Sequence, residues 1–214
     1  MSQTSLPPAV LASVEPFESF LALPTTDLVS RYRRGLERFD RRIFELSDAE
    51  TDQAFLPDAG VGRWSVRILI GHLADAELAF SHRMRRAVAE DSPVLALWDE
   101  DAFVDAGLYG GGPANTPGGH YPLGGFVAVI HTLRRWTSEW LATLAPQQWA
   151  RNAMHPQRGP ETVHSMVART TWHLEHHARF LNAKVCRILG PDMGPDADPR
   201  GGGSCGPNCG CGKK

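Results

Sequence analysis

Four segments of this chain repeat apolar residues at the three-and-four spacing of an α-helix, and no segment shows a convincing strand pattern. That periodicity restricts the fold to helices packed on helices. The first segment, DLVSRYRRGLERFDRRIFELS, brings Leu28, Tyr32, Leu36, Phe39, Ile43 and Leu46 together, with Thr26 or Asp27 as its cap. Arg33, Arg34, Glu37, Arg41 and Arg42 fill its wet side. The second starts near Ser65 and carries the stripe Val66, Leu69, Leu73, Phe80 and Met84. Gly71 within it favours close approach of another backbone beside His72. The third runs from about 124 to 144 and is expected to bury Phe126, Ile130, Leu133, Trp136, Trp140, Leu141 and Leu144. The fourth opens at Glu161 or Thr162, runs to about Leu189, and is stopped by Gly190 and Pro191.

Between these segments, PQQW (146–149) reads as a short turn of helix and NAMHPQRGPE as a loop. Residues 90–123 are rich in Gly and Pro and are long enough for a crossover rather than a tight hairpin. The expected fold is therefore an all-α four-helix bundle with a long crossover between helices 2 and 3. The expected division is an extended N-terminal arm at 1–24, the bundle at 25–190, and a flexible Gly/Cys-rich tail at 191–214.

A formal net charge of −2 on 214 residues provides no basic face for nucleic acid or an anionic membrane. Met1–Val10 lacks the basic start and apolar run of a secretory signal, so a cytoplasmic protein is expected. No P-loop, dinucleotide fingerprint or serine-nucleophile elbow is present.

The chemistry is concentrated in histidines. His173 and His177 are four residues apart on the last helix, so both imidazoles can converge on one point. His176 is the competing partner of His173, tilted towards solvent. His72 falls between Leu69 and Leu73 and turns towards the interior. Three neutral imidazoles from two helices would leave an open coordination position, and Zn, Ni and Fe all suit such a set. Asp75, three residues after His72, is a candidate to orient an imidazole. Trp64, Trp98 and Trp172 are candidates to line a pocket, with core packing as the competing role. Cys205, Cys209 and Cys211 crowd the tail, where they suit either a separate soft-metal or redox site or no role at all.

RWSVRILIGHLADAELAFSHRMRRAVAED and HPQRGPETVHSMVARTTWHLEHHARFL, with the short LWDEDAF, resemble the DinB-like superfamily, in particular its bacillithiol-transferase-like branch. The resemblance spans roughly residues 25–190. It implies an up-down-down-up bundle and a divalent metal held by His72, His173 and His177, and often a homodimer. It also implies a small-molecule substrate, with a low-molecular-weight thiol joined to an electrophile in some relatives. A metal-dependent hydrolase on the same site and a non-catalytic metal-binding stress protein are the alternatives. The long stretch 107–125 and the cysteine tail depart from the family's pattern.

Overall fold

A computed structural model describes residues 11, 13–110 and 121–192. Along the chain run α1 (Phe17–Leu21), α2 (Thr25–Arg33), α3 (Asp48–Thr51), α4 (Val66–Ala89), α5 (Glu100–Asp105) and α6 (Leu123–Leu141). Then come α7 (Pro146–Trp149), β1 (Asn152–His155), β2 (Gly159–Thr162) and α8 (Val163–Leu189). Side-chain caps define the long starts: Ser65 accepts from the Ile68 amide at α4, and Thr162 from the Ser165 amide at α8. Gly190, at φ 81°, ends α8.

Helices α2, α4, α6 and α8 form the bundle, and side-chain contacts fix their directions. Glu77 meets Arg134 and Ser81 meets Thr137, so α4 and α6 run parallel. His72 lies beside His177 whereas Glu77 meets Thr170, so α8 runs antiparallel to α4. Arg31 meets Glu175 and, beyond α2, the Asp40 amide meets Asn182, so α2 follows α8. The topology is up-down-down-up, with the 90–122 connection carrying the chain back between the parallel pair.

Four expectations change. The first helix ends at Arg33 instead of continuing to 47, and two 3-10 turns, Gly35–Arg38 and Arg41–Phe44, follow it. Arg134 takes the Tyr32 carbonyl, which a continuing helix would offer to the Leu36 amide, and a Cβ at Gly35 would collide with that buried guanidinium. The N-terminal arm is not wholly extended, because α1 packs against α8 and buries Phe20. The 152–162 loop is an antiparallel hairpin, with Asn152 opposite Thr162 and His155 opposite Gly159. On α6 the buried face runs Ile130, Arg134, Thr137, Ser138 and Leu141, leaving Trp136 52% exposed under the Arg85 guanidinium.

Two apolar clusters build the core. One joins Phe20, Leu28, Phe80, Met84, Trp149 and Val167 near the hairpin; the other joins Leu69, Leu73, Ile130, Leu174 and Leu181 towards the far end. Between them lies a polar layer made by all four bundle helices. Arg134 donates to Oε1 of Glu77 from Nε at 2.8 Å and Nη2 at 2.5 Å, and to the carbonyls of Tyr32 at 2.7 Å and Thr170 at 3.0 Å. Tyr32 donates to the other Glu77 oxygen at 3.0 Å, and Thr170 donates to the first at 3.2 Å. Glu77 and Arg134 are both about 1% exposed, so either charge alone would be stranded. Replacing Arg134 with Met should lower unfolding free energy by about 3–5 kcal/mol, read from the denaturant midpoint. The double variant Arg134→Met/Glu77→Leu should recover much of that loss, because it leaves no uncompensated charge.

Candidate metal centre

The polar layer opens on one side onto histidines. His72 projects from the middle of the stripe Leu69, His72, Ala76 on α4, and His173 and His177 project from successive turns of α8. Antiparallel packing brings them together. Nε2 of His72 lies 3.3 Å from Nε2 of His173, and one ring nitrogen from each of the three lies within 4.8 Å of the others. Ring centroids are 5.2 Å apart for His72 and His173, 5.1 Å for His72 and His177, and 4.5 Å for His173 and His177.

Burial holds the three rings neutral. Desolvation, the larger cause, brings His72 down to about 4 and His177 down to about 3, the latter helped by repulsion from His72. His173 is also held well below the usual imidazole range, by burial first and then by His177 and His72. Neutral rings offer lone pairs, the form in which imidazole binds a metal. The spacing suits one as well: two nitrogens on a tetrahedral ion with bonds of roughly 2.0–2.1 Å sit about 3.3 Å apart. Nδ1 of His72 is buried with no partner among the described residues.

The tryptophan candidates divide. The Trp64 ring is 4.9 Å from His72 and stacks at 18° on His177, 6.3 Å away. Trp98, from the crossover connection, presents its ring 5.5 Å from His72. Trp172 points elsewhere, between Phe17 at 6.3 Å and His176 at 4.9 Å, because it lies 100° around α8 from His173. His176 packs on Trp172 and Phe180, outside the three-ring cluster. Asp75 lies near Tyr109, and burial raises its carboxyl above the usual range. Tyr109 in turn lies on Gly71, where a Cβ would come within 2.5 Å of its ring, so the close approach beside His72 is made by a side chain of the crossover. Cys205, Cys209 and Cys211 lie outside the described residues.

Two contributors escape a reading of spacing alone. Glu100, the first residue of α5, accepts from Trp98 Nε1 at 3.1 Å through Oε2, and its charge partly offsets the lowering of His72 by burial. Lys184 is buried on α8 and donates to the carbonyls of Val61 at 2.5 Å and Gly62 at 2.8 Å. It thereby ties down the turn that delivers Trp64. Its signal was a lysine in the stripe of Leu174, Ala178, Leu181 and Val185.

A bundle with a parallel central pair and three histidines meeting between two helices defines the class. The chain belongs to the DinB superfamily, whose family model matches residues 31–181. It is 22% identical over 166 residues to the "Putative metal-dependent hydrolase OB0413" of Oceanobacillus iheyensis, covering 78% of this chain and 90% of that protein. It is 27% identical over 156 residues to the "Putative metal-dependent hydrolase YfiT" of Bacillus subtilis, covering 72% and 82%. The solved structure of YfiT, described as "a probable metal-dependent hydrolase with an unusual four-helix bundle topology", superposes with a TM-score of 0.65 at 21% identity. That match spans 83% of this chain and 94% of YfiT.

Purified protein should carry about one divalent ion per chain by elemental analysis, and His173→Ala should lose it while keeping its helical circular dichroism. The pH response has a definite sign. Between 6.5 and about 4, the unfolded chain binds protons that folded His72 refuses. The metal-free protein should therefore lose stability as pH falls through that window, seen as a falling melting temperature, and His72→Gln should flatten the slope.

Proposed function

We propose that this chain is a divalent-metal-dependent enzyme acting on an electrophilic small molecule, with His72, His173 and His177 as the metal ligands. The observation that carries this reading is the convergence within 4.8 Å of three neutral imidazole nitrogens, one from the buried His72 and two from the half-buried His173 and His177. Zn, Ni and Fe all suit that donor set. Three protein ligands are the count of catalytic sites that keep a position for a reactant. When bound, such an ion supplies Lewis acidity and acidifies the nucleophile that ligates it.

The surrounding side chains have separate tasks. Trp64 and Trp98 border His72 from two sides, excluding water and providing flat apolar faces for the substrate. Lys184 keeps the Trp64 turn in place through its two carbonyl bonds. Hydrolysis is the first reading, because it is the activity in the names of OB0413 and YfiT.

Thiol S-transfer is the second reading. It follows from the resemblance of the GHLADAE and WHLEHH segments, and from a metal position that, when filled, would hold a thiol as its nucleophilic thiolate. Metal-loaded protein assayed against ester and amide panels, and against low-molecular-weight thiols with monochlorobimane, separates the two. Cleavage that His173→Ala abolishes supports hydrolysis; thiol consumption with the same dependence supports transfer. Full metal occupancy with neither activity across both panels overturns the catalytic reading in favour of metal storage.

A further inference from the structure

The histidines stand at one end of a longer feature. On α4 the positions His72, Ala76, Ala79 and Arg83, spaced by four, three and four residues, share one face. Between the imidazole and the guanidinium stand two small residues, Ala76 buried against the core and Ala79 half-buried. The ring of Phe80 lies 6.3 Å from His173 and 5.5 Å from the Arg83 guanidinium, so it spans the gap between them. Arg169, one turn before His173 on α8, lies on the same side of the histidines. The hairpin adds Arg158 and Glu161.

Charge in this corner does not balance. One Glu161 oxygen accepts from Arg158 at 2.9 Å and from Arg169 at 3.0 Å, so a single carboxylate serves two guanidiniums. Arg83 bonds the Ala96 carbonyl at 2.6 Å and pairs with no carboxylate among the described residues. Three guanidiniums against one carboxylate surround the buried, uncharged-leaning His155. Burial and then Arg158 both work against the charge on Arg83. Arg158 and Arg169 keep 37% and 27% of their side chains exposed, so a solute can reach them.

We propose that this recess binds an anionic group, carboxylate or phosphate, of the small-molecule substrate, with Arg83 and Arg158 as the recognising side chains. The inference rests on the enzymatic reading of the histidine site and sharpens it. Arg83 lies eleven positions from His72, about 16 Å along the helix axis. Because the two side chains lie along one face, the substrate would be an elongated molecule with its reactive centre at the histidines and its anion at the hairpin. Guanidinium suits this task, since it presents paired donors to a planar carboxylate or to phosphate.

The test is calorimetric titration of the full chain, metal-free and zinc-loaded, with inorganic phosphate and with succinate. Wild type should bind at least one of them with or without zinc, and the stronger of the two identifies the anion. Arg83→Gln and Arg158→Gln should each weaken binding about tenfold. Arg83→Lys should restore part of it, and Arg135→Gln on the outer face of α6 should change nothing. Equal affinity in wild type and both glutamine variants, or binding that needs zinc and ignores Arg83, overturns the proposal. Zinc content is measured on the same samples. A chain that binds zinc but no anion through Arg83 refutes the recess alone. A chain that binds the anion through Arg83 but no zinc refutes the metal enzyme and leaves the recess standing.

Discussion

The Arg134–Glu77 pair is the constraint around which the bundle is arranged. An ion pair at about 1% exposure tolerates no slippage, because every remaining donor and acceptor must also find a partner. Here Tyr32 from α2 and Thr170 from α8 complete the set begun by Glu77 on α4 and Arg134 on α6. One layer thus fixes the vertical register of four helices at once. Apolar packing above and below supplies the driving force for collapse, yet apolar contacts alone accept several offsets.

The same layer sets up the chemistry. Glu77 stands five residues after His72, and Thr170 three residues before His173. Once Glu77 and Thr170 are bonded to each other, the two histidines have no freedom to slide apart. Precision at the imidazoles is therefore set by a polar contact one turn deeper. Outside them, the aromatic wall is secured twice, by Lys184 beneath the Trp64 turn and by Tyr109 seated on Gly71 within the crossover. A rigid interior and tethered rim place the three rings at a spacing suited to a small ion.

Much of this was legible in the residues. Helical spacing locates α4, α6 and α8 to within a few positions, because their apolar stripes are long and their caps at Ser65 and Thr162 are plain. The i, i+4 relation of His173 and His177 makes their convergence a matter of helix geometry, and His72 shares a stripe with leucines. What was not legible depends on partners remote in sequence. The 27–47 pattern looks like one helix until Arg134 is known to press against Gly35. Trp136 looks like core until a guanidinium is allowed the interior position instead. Glu77 sits on the apolar line of Leu73, Phe80 and Met84, a signal in itself, but its meaning requires the other three helices. Trp172 shares its motif with the ligands and faces another way, since adjacent residues on a helix diverge.

Parallel α4 and α6 have a kinetic consequence. Neither α2 with α4 nor α6 with α8 makes an extensive contact, so helices consecutive in the chain mostly lie across the diagonal from one another. No local helical hairpin offers a ready nucleus. The first productive docking has to close a loop of several dozen residues, a cost in chain entropy that simple up-and-down bundles avoid. A polypeptide of this topology gathers its stability late and all together, and its halves have little reason to persist alone.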